Sequence, residues 1–529
     1  MDANDLKHLT PEVQAYIRAL EAHNSQLTER IQILEELFRL AQLKRFAPTS
    51  EKLKDRVFDE AEQLALSEPD YDDVATLPDT GLAQTDMPAG KKRGRRALPA
   101  HLPRKRIEYD LSEDEKVCPC CQAALHRIGE ELSEQMDLIA AKVRVLQHAR
   151  FKYGCRHCQR HAESTPIVTA KMPAQALPGS NASANVIATV MVGKFVDGTP
   201  LYRMEDVLAR SGIDVGRGTL GHWVIKPTEL HLSRLYEAMS AILLTQALIH
   251  GDETTVQVLK EPGKSAQSKS YMWTYRSAQD SEQPVVLFEY QPGRGQEHPQ
   301  LFLAGYTGML MSDGYSAWRT VKHATHYGCA AHARRKFNDA FKAQKKPDGR
   351  AKQGLEFFRA LYEVERLARG ELPEGQTRID YTYRLRQQHS VALLAAFKTW
   401  LDEQEPKVLP KSLIGKAISY TLNQWTYLSR YVENGLAPID NNLIERDIRP
   451  FTTGRNSWIF NDTVAGAKAS ATIYSLMLTC RACNVEPFEY LCEVLTELPR
   501  RAPGADVSDL LPFNIGERLA RRKANSPSD

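Results

Sequence analysis

No run of 18 apolar residues occurs anywhere in the 529-residue chain, and the opening MDANDLKHL has neither a basic flank nor an apolar core. Neither a membrane-spanning helix nor an export signal is expected, so the chain reads as cytoplasmic with no membrane partner. Cysteine is sparse: nine residues, an odd number, which argues for metal ligation over a disulfide framework. Charge of one sign is missing from two adjoining stretches. Between Val57 and Gly90 there are nine Asp/Glu and no Lys/Arg, and between Lys91 and Arg106 eight Lys/Arg and no acid. The acidic stretch also carries Pro69, Pro78 and Pro88 with few large apolar residues. It cannot offset the entropy of ordering and reads as a disordered linker. The basic stretch, Lys91, Lys92, Arg93, Arg95 and Arg96 with Arg104 to Arg106 behind, either touches an anion such as a phosphate backbone or is a solvated charge run.

Against these absences three acids stand out. An apolar approach, Leu248-Ile-His-Gly, delivers Asp252, and the β-branched run Thr254-Thr-Val-Gln-Val258 continues beyond it. Sixty-one residues on, Met309-Leu-Met-Ser delivers Asp313, with Gly314 to turn the chain. Both patterns predict a strand-borne carboxylate, although an aspartate at a strand end also serves as a turn former. The third acid, Glu445, lies in Asn441-Asn-Leu-Ile-Glu-Arg-Asp-Ile-Arg449, whose apolar Leu443, Ile444 and Ile448 have helical spacing. Asp440 and Asp447 compete with it. Few carboxylates, retained waters and substrate phosphate oxygens are what Mg²⁺ takes, and two ions ~3.5–4 Å apart clamp an in-line phosphoryl transfer.

Cys118/Cys121 and Cys155/Cys158 are two C-x₂-C pairs, four thiolates suited to one structural Zn²⁺ per chain, although 33 intervening residues exceed the usual separation. Between them Lys142-Val-Arg-Val-Leu146 alternates as a strand would. Cys480 and Cys483 share the spacing without a second pair and read as helix core. Near the N-terminus Val13, Leu20, Leu27 and Leu34 recur every seven residues, with Ile17, Asn24, Ile31 and Phe38 as companions. This is either a two-stranded coiled-coil seam, with Asn24 setting the register, or an amphipathic helix packed on its own chain. From Leu201 to Val224 helix, Gly-containing turn and helix follow, with Val207, Leu208 and Ile213 facing Leu220 and Trp223. As a helix-turn-helix this would present Arg217, Thr219 and His222 to DNA; a generic helical hairpin has the same pattern. Helices are also predicted over 183–195, 230–244, 464–478 and 488–498, and strands over 270–275 and 285–290. Cys329-Ala-Ala-His-Ala-Arg-Arg-Lys-Phe337 opens a helix whose His332, Arg334 and Arg335 either contact phosphate or form a solvated face. Arg449, one turn beyond Glu445, and Arg455 are further phosphate candidates, with a salt bridge as the alternative for Arg449.

The chain resembles the DDE transposases of the bacterial insertion-sequence-66 family through GDETTVQVL, MSDGYSAW, CAAHARRKF and APIDNNLIERDIRPFTTGRNSWIF. The cysteine pairs and leucine-rich N-terminus share in the resemblance. It implies an RNase H-like catalytic fold with Asp252, Asp313 and Glu445 as ligands of two Mg²⁺ (or Mn²⁺) per site. Residue patterning alone supports only a metal-dependent phosphoryl-transfer site. The expected architecture is multidomain α+β: a coiled coil (8–56), the charged linker (57–106), a zinc ribbon (107–165), a helical, helix-turn-helix-like region (180–240), an RNase H-like α/β domain (241–480) with an all-α insertion (337–431), and a C-terminal helical region and tail (481–529). Its DNA partners would be the element's terminal inverted repeats and target DNA, at the nucleoid, and the oligomer a homodimer or higher. The resemblance also suggests accessory proteins encoded by the same element. A non-enzymatic DNA-binding regulator and a nuclease that cuts without joining are the rival functions.

Overall fold

The computed structural model describes residues 10–46, 106–107, 143–154, 167–343 and 349–525. The chain divides into two compact units, residues 1–69 with 147–529, and residues 70–146. The four cysteines of the paired C-x₂-C motifs and Lys91 to Arg96 lie outside the described residues. Every element below belongs to the first unit.

A single helix, α1 (Pro11–Phe46), carries the heptad seam. Val13, Leu20, Leu27, Ile31, Leu34 and Phe38 are all exposed along it, while Leu40 is buried. A short antiparallel pair, β1 (Lys152–Gly154) with β2 (Ile167–Thr169), follows. The strand expected at 142–146 is not there: the described residues 143–146 have no regular structure, and Val145 is 92% exposed. Alternation without a partner strand or a surface to cover does not make a strand.

Four helices come next: α2 (Ala184–Phe195), capped by the Ser183 hydroxyl, α3 (Leu201–Arg210), α4 (Arg217–Pro227) and α5 (Ser233–Leu243). Leu220, Trp223 and Val224 of α4 are buried, as the hairpin pattern requires. Val207, expected in that core, is instead 46% exposed; Met204, three residues earlier on α3, is the side chain buried there.

The sheet is built on β3 (Leu248–Lys260), which runs antiparallel to β4 (Lys269–Ser277). β4 pairs antiparallel with β5 (Val286–Gln291). After a short helix, α6 (Glu297–Phe302), the parallel strands β6 (Met309–Ser312) and β7 (Thr325–Gly328) complete the order β5-β4-β3-β6-β7. Helix α7 (Ala330–Ala343) then leads into α8 (Arg350–Arg369), α9 (Arg378–Leu385), α10 (Val391–Gln404), α11 (Leu413–Asn423) and α12 (Trp425–Ser429). This block has no strand among its described residues, and its aromatic core of Phe337, Phe358, Phe397 and Tyr431 packs onto the sheet through Leu248, Met311 and Tyr327. Arg386, 2% exposed, pairs with Glu365 and donates to the carbonyls of Tyr431, Asn434 and Ala437. That anchor fixes the segment by which the chain returns to the sheet.

The return ends in α13 (Asn442–Trp458), then β8 (Asn461–Thr463), α14 (Val464–Ala482), α15 (Pro487–Glu497) and α16 (Gly516–Asn525). β8 pairs in parallel with the far end of β3. The Ala/Ser-rich α14 lies close to the sheet edge, where Ser475 and Thr479 hydroxyls accept from the amides of Phe288 and Val286 at 2.8 and 3.0 Å. Hydroxyls thus satisfy edge amides that would otherwise invite another strand. Cys480 is fully buried in this helix, a core residue as its lone spacing suggested.

Candidate active site

Strand periodicity puts His250 and Asp252 on one face of β3, and Gly251 and Glu253 on the other. Gly251 is required: a Cβ there would come 2.5 Å from the Trp318 ring. The parallel register pairs Leu248 with Met309, Ile249 with Leu310 and His250 with Met311. Asp313 follows directly on the end of β6, and its charge lies close enough to act on the Asp252 carboxyl of β3. Asp313 ends its strand as a turn former, its Oδ1 accepting from Tyr315 N at 2.8 Å, while Arg319 holds its carbonyl at 3.1 Å.

Glu445 enters from the first turn of α13, where the helix dipole favours negative charge. Its Oε2 accepts from Arg335 Nη2 at 3.2 Å. Its Oε1 is shielded from solvent without a hydrogen bond, 3.6 Å from His332 Nδ1. Burial, with the charges of Glu253, Asp313 and Glu445, pushes the Asp252 carboxyl well above the usual range. Glu253 is raised too, chiefly by burial, and is tied to Arg294 and, at 2.8 Å, to Trp318 Nε1. Asp252, Asp313 and Glu445 are near enough for their charges to raise Asp252, and such a group gains from a cation. Among the described residues, however, the donor atoms already within 4.8 Å of one another are those of Cys329, His332 and Glu445; the aspartates stand outside that group.

Asn441 positions the glutamate. Its Nδ2 donates to Gly251 O at 2.9 Å, its Oδ1 accepts from His250 Nδ1 at 2.7 Å, and its own amide donates to Cys329 Sγ at 3.1 Å. The start of α13 is thereby bolted to the strand carrying Asp252. Burial lowers His250 to about 4, so its ring is neutral near pH 7, with the proton on Nδ1 facing Asn441. Asn441, Glu253 and Cys329 were not singled out from sequence, although each stands beside a motif residue.

The competing acids are otherwise engaged. Asp440 accepts from Tyr362 Oη at 2.8 Å and from Asn442 N at 3.1 Å. Asp447 forms a buried ion pair with Arg276 of β4. Of the phosphate candidates, Arg335 and Arg449 are exposed, His332 is half-buried against Glu445, and Arg334 is buried, hence no part of a solvated or phosphate-facing surface. Arg449 makes neither salt bridge considered for it, since Glu445 pairs with Arg335 and Asp447 with Arg276. Arg455 instead ties α13 to β3 through the Thr254 and Thr255 hydroxyls at 3.2 and 3.1 Å. Arg217, Thr219 and His222 are exposed at the start of α4, with Arg217 held by Glu205 at 3.4 Å.

Comparison with known proteins matches residues 179–469 to the transposase IS66 family, 115–159 to the zinc-finger binding domain of transposase IS66, 33–107 to the transposase C of IS166 homeodomain and 475–513 to the IS66 C-terminal element. Two uncharacterized proteins of Sinorhizobium fredii are each 30% identical: y4jD over 84% of this chain and 88% of its own length, and y4qI over 95% and 92%. The Drosophila P element transposase strand transfer complex aligns over 58% of this chain and 94% of that one, with 12% identity and a TM-score of 0.34. No helix among the described residues is long and apolar enough to cross a membrane.

Proposed function

This chain belongs to the transposase IS66 family, and on that premise we propose that it binds the ends of its element, cuts DNA there and joins the exposed 3′-hydroxyl to target DNA. One observation carries the reading: Asp252 on β3 and Asp313, just past the end of the adjacent parallel strand β6, lie close enough for their charges to interact, and the helix bearing Glu445 is tied to β3 through Asn441. The sheet order, an antiparallel β5-β4-β3 extended by parallel β6 and β7, supports an RNase H-like domain. The three carboxylates fit Mg²⁺ or Mn²⁺, hard ions that take oxygen donors. When bound, such ions neutralise phosphate charge and activate a water or a 3′-hydroxyl. The chain's own part is to hold that geometry, with Asn441 fixing Glu445 and Arg335 and Arg449 offering positive charge to the DNA backbone. Purified full-length protein, supplied with duplexes bearing the terminal repeats and a target plasmid, should yield joined product with Mg²⁺. Cutting without joining would leave a nuclease, and binding without cutting a regulator.

The exposed seam of α1 supports a dimer through a coiled coil, in which the buried Asn24 amides would be each other's partners. Leu27→Pro is expected to give a monomer, because proline costs about 3 kcal/mol in a helix interior and breaks a core layer of the seam. An unchanged dimer in sedimentation would place the subunit contact elsewhere.

The zinc-finger match supports Zn²⁺ on Cys118, Cys121, Cys155 and Cys158. Cys118→Ser or Cys155→Ser should lose one zinc per chain together with specific end binding, since thiolate ligation is a folding term for so small a module. Cys480→Ser should keep both. Metal analysis finding full zinc in Cys155→Ser would reject the ligand set. We extend the DNA contact to Lys91, Lys92, Arg93, Arg95 and Arg96 and to Arg217, Thr219 and His222.

A further inference from the structure

Helix α13 ends in a way that few helices do. Ile459 has φ 64° and ψ −55°, and Phe460 N donates to Trp458 O at 2.7 Å. This is a γ-turn of the rare, strained hand, centred on a β-branched residue, where helix ends ordinarily use glycine or asparagine. Such strain persists only where surrounding structure enforces it, and it concentrates at binding sites. Its result here is to push apolar side chains into solvent: Ile459 is 61% and Phe460 42% exposed.

Ile459 forms one wall of a cleft of about 390 Å³. The other walls are Thr255, Val256 and Gln257 of β3, Gln267 and Ser268 with Lys269 at the start of β4, and Arg455 and Asn456 of α13. None of the nine lining residues is acidic, whereas Lys269, Arg455 and three side-chain amides are among them. The cleft therefore combines an apolar face, amides able to read a polar edge, and positive charge. It begins three residues beyond Asp252 on the same strand, ~10 Å along it, or about three nucleotide steps of a DNA strand.

The geometry points to a nucleotide-binding cleft in which Ile459, followed by Phe460, acts as a wedge and receives one unstacked base of the bound DNA about three nucleotides from the reacting phosphate. Apolar wedges that part base steps are a recurrent device of DNA-bending proteins, and polar groups around a flipped base supply its lost hydrogen bonds. The inference rests on the proposed DNA-end binding, but its test uses no chemistry.

Full-length Asp252→Asn protein is mixed with terminal-repeat duplexes carrying 2-aminopurine singly at each of the first positions from the end. A several-fold rise in fluorescence is expected at one interior position, and it should vanish in Ile459→Gly, which can adopt the positive φ without strain and so should keep its fold, as an unchanged melting temperature would verify. In a second arm, independent of end sequence, the same protein should prefer a duplex with one extrahelical 2-aminopurine over the perfect duplex, and Ile459→Gly should lose the preference. No rise at any position, or an equal rise and preference in Ile459→Gly, overturns the wedge. If both arms respond through Ile459 while the unmutated chain neither cuts nor joins, the nucleotide cleft stands and the transposition chemistry falls.

Discussion

Asp252→Asn, Asp313→Asn and Glu445→Gln, each made singly, are expected to lower DNA cleavage and joining by several orders of magnitude and to leave end binding intact. Each keeps side-chain volume and removes one negative charge from a site proposed to hold ~+4 of metal charge beside phosphate. End binding should survive because the proposed recognition modules precede Asp252. The same crowding gives a second, opposite signature. Without divalent metal, Asp252 is raised well above its ordinary pKa by burial and three neighbouring carboxylates. A carboxyl raised on folding destabilises the native state once ionised, so metal-free stability should fall as pH rises from the unfolded-state pKa through the folded one. Asp252→Asn should therefore melt higher than the unmutated chain in chelator at neutral pH, and lose most of the gain that Mg²⁺ brings. Mn²⁺, bound more tightly by the same oxygens, should rescue a weakened site in part. Full activity in all three variants would end the metal-site proposal, and an unchanged response of melting to Mg²⁺ in Asp252→Asn would remove that residue from it.

How much of this was legible beforehand depends on the range of the interaction involved. The strands β3 to β6 announce themselves because each carries apolar or β-branched residues dense enough to be half-buried. Asp252 and Asp313 were legible for the same reason, as charges at the ends of apolar runs. β8, Asn-Asp-Thr, has no apolar residue and exists because its backbone completes the far end of β3. Strand β7, four residues with Tyr327 its one large apolar side chain, likewise depends on β6 beside it. The converse is the alternating stretch 142–146, whose pattern suited a strand but whose described residues find no partner. Asn441 was invisible as a clamp, since its three partners lie 112 to 191 positions away. The exposed seam of α1 was legible as a period, while the burial of Leu40 and the contact of Lys44 with Asp339 at 2.9 Å were not.

Helix geometry rather than residue type separates Glu445 from Asp447 as the proposed third acid, and it yields the second large effect. Residues 445 and 447 are two apart on α13, hence about 200° apart around its axis. When Glu445 faces the aspartates, Asp447 must face elsewhere, and it meets Arg276 on β4 with side-chain exposures of 9% and 10%. Asp447→Asn is thus no neutral comparison for Glu445→Gln, because it leaves a buried guanidinium unpaired at a cost of about 3–5 kcal/mol. The cost should not stop at stability: Arg276 already helps to keep His250 deprotonated, and His250 faces Asn441, which positions Glu445. An unpaired cation there weighs more heavily on the clamp. Asp447→Asn should consequently lower the melting temperature and lose activity in proportion to the folded fraction, whereas Asp447→Leu with Arg276→Met, which removes both charges, should recover most of each. Glu445→Gln should do the reverse, melting like the unmutated chain with no joined product. An unshifted melting temperature in Asp447→Asn would show that the pair adds nothing to the fold, and a stable but inactive Asp447→Asn would move the third acid from position 445 to 447.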